Sequence, residues 1–350
     1  MRFMDGSGVF GDITLIVLGL VIIAYVGTHL VRTLNSLSIH ARLPKFVLAF
    51  VVMGLGTSVP DLFVAVFGAS QGMLSLVVGT VIGANILLLT LLLGLVTFLK
   101  GGIHVREKSI LENFGWLFFV IIIPFFFLLD GRLVWYEGAI LIIVYFMYIY
   151  TVAEQEHMHF FRTRSVQTEL TLGEAAPHLA YYKKHAAFVQ ASKLVVFIGL
   201  LLIASKFVVD KAISLSSSFG VPPFFIGITV IAFGAALPEL AMDLSALRAK
   251  EEEFIWGDLI GSFVVELSLV LGIAALFGAF SSSNSFPFMQ AAVGYAFMAI
   301  SFLLVYFFAS TRKELTKSQG LALILLYVVF ISLQIDFALL GNSLGLFGGG

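Results

Sequence analysis

A short motif that occurs twice, 178 residues apart, constrains this chain more than any other feature. Gly56-Thr57-Ser58-Val59-Pro60-Asp61 pairs with Gly234-Ala235-Ala236-Leu237-Pro238-Glu239, and each copy lies in an apolar segment of membrane length. A glycine pair follows each copy at one spacing, Gly79/Gly83 and Gly257/Gly261. Aligned without a gap, residues 46–94 match 224–272 at 12 of 49 positions, with both prolines and Gly94/Gly272 among them. An acid beside a Pro/Gly break at mid-membrane depth is costly and needs a partner or a ligand. Two such breaks in corresponding halves point to the substrate site of a transporter.

Composition places the motif in a bilayer. The chain is 60% apolar and 12% charged, with a mean hydropathy of +1.05, values that belong to polytopic membrane proteins. The absence of Cys excludes disulfides, thiol chemistry and Cys-ligated zinc or iron–sulfur sites. A formal charge of −1 gives no case for nucleic acid. At roughly 20 residues per span, ten helices are predicted, near residues 13–34, 45–70, 74–99, 111–129, 133–153, 192–216, 222–247, 254–280, 288–310 and 319–338. The first run lacks a basic leader, so it reads as a span and not as a cleaved signal.

The polar stretch 154–190 divides residues 1–153 from 191–350, five spans from five. Alternating the loops puts 16 of the 20 Lys/Arg on one side. By the positive-inside rule both termini then lie outside the cytoplasm and 154–190 lies within it, as in the inner membrane of a prokaryotic cell. Five spans per half is an odd number, so the second half enters from the opposite face. The expected fold is an all-α integral membrane protein, ten transmembrane helices in two inverted five-helix repeats with broken helices at the ion site. The 154–190 stretch carries His157, His159, His178 and His185; it reads as a solvated connector, with a regulatory metal site as the sharper alternative.

The residue types suit a hard cation. Pro60 and Pro238 each remove a backbone donor, and the carbonyls so released find no water in the hydrocarbon layer. Asp61 and Glu239 follow in the first turn of the next half-helix, where its dipole favours a carboxylate. Carbonyls, hydroxyls and carboxylates are the ligand set of an ion such as Ca²⁺. Ser262 and Glu266 share a helix face just beyond the Gly257/Gly261 pair, and Asp243 lies one turn after Glu239. Asp258 sits close enough to support the group. Lys206 and Asp210, four residues apart, read as a neutralising pair, His29 as a packed or interfacial histidine, and Phe125 to Phe127 as packing or lipid-facing residues.

These motifs resemble those of the sodium/calcium exchanger family, within the cation/Ca²⁺ exchanger superfamily. Its repeats read approximately Gly-Thr-Ser-x-Pro-Glu and Gly-Asn-x-x-Gly-Ser-Asn. Here they stand as Gly56 to Asp61 with Gly79-Thr80-Val81-Ile82-Gly83-Ala84-Asn85, and as Gly234 to Glu239 with Gly257-Asp258-Leu259-Ile260-Gly261-Ser262. The segment from Ala204 to Ala212 is similar to the family's approach to its second repeat. The resemblance implies a divergent prokaryotic-type antiporter that works by alternating access without a cofactor. The first helix of each half would slide against a core of repeat helices, and Asp61 and Glu239 would bridge the divalent ion.

Departures from the pattern make the site lopsided. Thr57 and Ser58 keep the hydroxyls of the first repeat, whereas the second has Ala235 and Ala236. Ser262 is matched by Ala84 and Glu266 by Leu88. Methyl groups cannot replace oxygen ligands for Na⁺, and clustered acids with few sodium ligands are what proton coupling would use. The expected function is exchange of a divalent cation, foremost Ca²⁺, for Na⁺ or H⁺. Asp61, Glu239, Glu266, Ser262, Thr57, Ser58 and Asp243 are the candidate metal ligands. The alternatives are a same-fold transporter of Mg²⁺, Mn²⁺ or a monovalent ion, or a non-transporting membrane sensor. The sequence carries no nucleophile–base pairing, metal-hydrolase spacing or cofactor loop of an enzyme. The expected partners are inorganic cations and the lipid bilayer.

Overall fold

The structure, a computed structural model, describes residues 6–40, 54–105, 108–164, 177–249, 252–278, 286 and 288–343. In chain order its helices are α1 (Gly6–His40), α2 (Gly54–Thr57), α3 (Val59–Ser70), α4 (Leu74–Lys100), α5 (Lys108–Phe127), α6 (Trp135–Arg164), α7 (Pro177–Phe219), α8 (223–235), α9 (Leu237–Ala249), α10 (252–278), α11 (Phe288–Arg312) and α12 (Lys317–Ser343). Eight stretches among the described residues are long and apolar enough to cross a bilayer, and Val59–Ser70 and Gly115–Phe127 are shorter apolar helices. Together they occupy the ten expected spans, of which the second is α2 with α3 and the seventh α8 with α9. Residues 45–53, the start of the second span, lie outside the described set.

Contacts between chain-distant ends fix which connections share a membrane face. Connections on one face must be separated by an even number of spans. Lys211, near the end of the sixth span, pairs with Asp12 at the start of the first at 2.8 Å. Phe286 N–H, before the ninth span, donates to the Gly131 carbonyl after the fourth at 3.1 Å. On the other face, Lys100 after the third span pairs with Glu252 before the eighth. There too, strands β1 (Gly102–His104) and β2 (Glu314–Thr316) pair antiparallel, with Ile103 opposite Leu315. All four links obey the even rule for ten spans. Since the first half contains five, the second starts from the opposite face, and the halves are inverted.

The predicted pair of Lys206 with Asp210 does not form. Gln71 Nε2 donates to Asp210 Oδ1 at 2.9 Å, and Ser214 Oγ joins Lys211 on Asp12 at 2.6 Å. The i,i+4 argument considered α7 alone, but α3 and α1 bring competing partners across to it. His29 has Nδ1 2.9 Å from the Tyr25 carbonyl, and its ring lies 4.3 Å from that of Tyr25 and 6.0 Å from that of Phe197 on α7. Phe126 is exposed, while Phe125 also packs on Tyr295. The helices flanking the 154–190 stretch run further than expected, to Arg164 and from Pro177. Residues 165–176 lie outside the described set, as do the side chains of the four histidines there.

Packing divides the spans into two groups. Ile16, Leu20, Ile23 and Leu30 of α1 interleave with Leu201, Val208, Val209 and Ala212 of α7. The other spans form a larger core, and Val64, Leu76, Ile226 and Ile231 of α3, α4 and α8 join the α1–α7 cluster to it. Small residues let the backbones of that core touch, as at many membrane helix crossings. A Cβ on Gly79 or Gly83 of α4 would strike the Phe224 or Ile228 carbonyl of α8. Gly27 of α1 lies over both motif prolines, its would-be Cβ 3.1 Å from Pro238 Cγ and 3.4 Å from Pro60 Cγ.

Two further crossings are related by the inverted symmetry. A Cβ on Gly138 of α6 would lie 2.6 Å from the Gly272 carbonyl of α10, and one on Gly320 of α12 would lie 2.8 Å from the Gly94 carbonyl of α4. Each half thus lends its fifth span to the third span of the other. Backbone cannot move aside cheaply, so Gly138→Ala and Gly320→Ala should each cost about 1–3 kcal/mol. The readout is the thermal unfolding midpoint in detergent; an unchanged midpoint in both would show that the crossings tolerate a methyl group.

Candidate functional site

The motif breaks repeat each other in backbone geometry. Ser58, between α2 and α3, has φ −81° and ψ 0°; Ala236, between α8 and α9, has φ −79° and ψ 2°. Pro60 and Pro238 cannot donate to the carbonyls four residues back, those of Gly56 and Gly234. The new helices restart immediately, with Leu62 N–H donating to the Ser58 carbonyl at 3.0 Å and Leu240 N–H to that of Ala236 at 3.1 Å. Asp61 and Glu239 therefore both occupy first turns, where amide dipoles face a carboxylate.

Opposite the breaks, the helices that follow them widen. α4 contains a π-helical turn at Leu88–Leu92 and α10 one at Val265–Val270, near-equivalent positions in the two repeats. Such turns frequently sit at functional sites because they re-aim one side chain without ending the helix. Glu266 lies in the second of them and Leu88 begins the first.

Three carboxylates from three helices converge here. Asp61 of α3, Glu239 of α9 and Glu266 of α10 each offer an oxygen, and these oxygens lie within 4.8 Å of one another. Their residues are only 1–3% exposed, so the group is shut off from both faces in this conformation. Thr57 and Ser262 form a hydroxyl pair at 3.0 Å, and Thr57 Oγ1 also donates to Asp258 Oδ1 at 3.4 Å. Ser58 is fully buried, and its Oγ has no protein partner. Asp243 is buried one helical turn beyond Glu239, outside the three-carboxylate group.

One participant was missed from sequence. Asn85 Nδ2 donates to Glu266 Oε2 at 2.7 Å and to the Val81 carbonyl at 2.7 Å. Its place beside Gly83 was visible, but its partner lies 181 residues away, on a helix of the other repeat.

The arrangement is rich in negative charge and poor in compensation. Among the described residues, no Lys, Arg or His pairs with Asp61, Glu239, Asp243, Asp258 or Glu266. Both oxygens of Glu239, and one each of Asp61 and Asp243, are buried without a hydrogen-bond donor. Removing one charge should therefore relieve repulsion. Glu239→Gln should stabilise the protein in cation-free detergent by about 1–3 kcal/mol, read as a higher unfolding midpoint. A lower midpoint would mean that the carboxylate is held by protein donors.

Known proteins share this architecture. A family described as "Sodium/calcium exchanger protein" matches residues 12–153 and 191–335. Sodium/calcium exchanger MaX1 of Methanosarcina acetivorans is 24% identical over 345 residues, covering 91% of this chain and 96% of that protein. Inner membrane protein YrbG of Escherichia coli is 27% identical over 267 residues, 75% of this chain and 78% of that one. The solved structure of the sodium-calcium exchanger NCX_Mj soaked with 2.5 mM Na⁺ and 10 mM Sr²⁺ superposes with a TM-score of 0.62 at 23% identity, over 93% of this chain and 99% of that one. It shares the ten-helix, inverted-repeat fold. With both repeats matched, this chain belongs to the sodium/calcium exchanger family and is a secondary transporter, an exchanger-type cation antiporter.

Proposed function

We propose that the transported divalent cation is Ca²⁺, bound between Asp61, Glu239 and Glu266, and that it is exchanged for Na⁺ or H⁺. The observation that carries this reading is the convergence of three buried carboxylates on one point. In a dry interior the mutual repulsion of such a group is costly, and a bound cation offsets it. Oxygen ligands supplied almost wholly by protein suit Ca²⁺, whereas Mg²⁺ usually keeps several waters. Thr57, Ser58 and Ser262 supply neutral oxygens beside the carboxylates, and Asp243 supplies charge one turn away.

Charge balance bears on the counter-ion. Five buried carboxylates carry more negative charge than one divalent ion neutralises, so further cations or protons accompany each cycle. Ala235 and Ala236 are buried where the first repeat has hydroxyls, so the second repeat offers Na⁺ fewer neutral oxygens. That asymmetry favours H⁺ as the partner ion. In the conformational step, α1 and α7, joined by apolar packing and by Asp12 with Lys211, slide as one body across Pro60 and Pro238. Gly27 gives the clearance. The Gln71–Asp210 bond ties the outer end of α7 to α3 and has to break when that face opens.

The test is ⁴⁵Ca²⁺ uptake into proteoliposomes under an imposed H⁺ or Na⁺ gradient. Uptake should follow the H⁺ gradient, and Asp61→Asn or Glu239→Gln should lower it at least tenfold. Unchanged flux in both variants would remove these residues from the site. Uptake driven by Na⁺ would overturn the proton preference, and Ala235→Thr with Ala236→Ser should then raise it further.

We also place both termini outside the cytoplasm of a prokaryotic cell, supported by the positively charged face that bears β1 and β2. The chain has no Cys, so single substitutions report sidedness cleanly. A membrane-impermeant maleimide should label Ser70→Cys in intact cells and Ser318→Cys only after lysis. The reverse pattern would invert the assignment.

A further inference from the structure

Asn85 is fully buried, and its amide is held by two bonds that leave no choice of orientation. Glu266 Oε2 and the Val81 carbonyl are both acceptors, so the nitrogen of the amide must face them. Each takes one of the two hydrogens on Nδ2. The oxygen is therefore fixed as well, and Oδ1 is buried without a hydrogen-bond donor. A buried amide oxygen left unmatched is costly unless something positive meets it.

The covalent geometry of the amide bounds where that oxygen lies. Oδ1 and Nδ2 belong to one small planar group, and Nδ2 is 2.7 Å from Glu266 Oε2. Oδ1 is thus less than about 5 Å from that carboxylate oxygen, near enough for the two to be neighbouring ligands of one Ca²⁺ ion whose bonds are 2.3–2.6 Å long. Neutral carbonyl and amide oxygens are ordinary partners of carboxylates around this ion. The equivalent position in the second repeat is Phe263, which is buried and packs on Phe302. The first repeat alone can provide an amide there.

We propose that Asn85 Oδ1 is itself a ligand of the transported cation, presented by the two hydrogen bonds of its amide nitrogen, one of which also holds Glu266 in place. This rests on the cation site described above. Asn85 then links ion binding to the seam between the repeats, because α4 supplies the amide and α10 the carboxylate it orients. The neutral oxygen also favours an ion of Ca²⁺ size over Mg²⁺, which demands a smaller, octahedral shell.

Ca²⁺-induced infrared difference spectra of the full-length protein in detergent test this directly. The chain has five asparagines, and ¹³C labelling at the side-chain carbonyl isolates their bands. Wild-type protein should show one asparagine carbonyl shifting to lower frequency on addition of Ca²⁺. Asn85→Leu should abolish the shift, and calorimetry should give at least a tenfold weaker Ca²⁺ affinity and a smaller preference over Mg²⁺. Asn85→Ser, a smaller change, should lose the same band. An unshifted carbonyl in wild-type protein that binds Ca²⁺ overturns the proposal without needing a variant. So does a Ca²⁺ affinity within twofold of wild type in Asn85→Leu. Glu239→Gln separates the two readings: affinity lost there but kept in Asn85→Leu removes only Asn85. Absence of Ca²⁺ binding by wild-type protein removes the cation site and Asn85 together.

Discussion

Buried carboxylates without basic partners set the terms for everything else in this molecule. Asp61, Glu239 and Glu266 lie within one ion's reach of each other, closed off from solvent in this conformation. A soluble protein would cancel such charges with Arg or Lys, at a price in desolvation. Here the nearest compensation comes from dipoles at the starts of α3 and α9 and from hydroxyls and one amide. Partial charges of that size attenuate repulsion without abolishing it. The group is thus left with uncompensated charge, which is what supports the proposal of a bound cation there.

The scaffold exists to hold those groups while letting the surroundings move. Proline breaks place Asp61 and Glu239 at helix starts, and glycines bring α4 against α8 so closely that backbone packs on backbone. Contacts of that kind have little room to shear, so the core acts as a rigid frame. The α1–α7 pair meets that frame through side chains, with Val64, Leu76, Ile226 and Ile231 packed against it and Gly27 passing over the rings of both prolines. Close packing in the core therefore follows from where the smallest residues fall, and the sliding proposed for α1 and α7 uses the clearance at Gly27.

Much of this was legible from local chemistry. Gly56, Pro60, Gly234 and Pro238 announce the breaks because glycine and proline act on the backbone of their own neighbourhood. The span count followed from apolar length, and inversion from an odd count per half. Features that depend on distant partners were not legible. Asn85 meets Glu266 across the repeat interface, and Asp210 leaves Lys206 for Gln71 because α3 packs on α7. The π-helical turns in α4 and α10 are built from Leu, Val, Ser, Thr and Glu, a composition that ordinary membrane helices share. The β1–β2 pairing is three residues long and joins chain segments more than 200 residues apart, which no local pattern could signal.

The exchange of fifth spans between halves has a consequence for biosynthesis. Gly138 emerges from the ribosome well before Gly272, the residue against which it closes. At 5–20 residues per second the interval is on the order of ten seconds. Throughout that time α6 has lipid or an insertion chaperone along the face that will become its tightest helix contact. The first five helices cannot complete their own core, so a ribosome halted after the first half leaves a membrane-inserted but unassembled bundle.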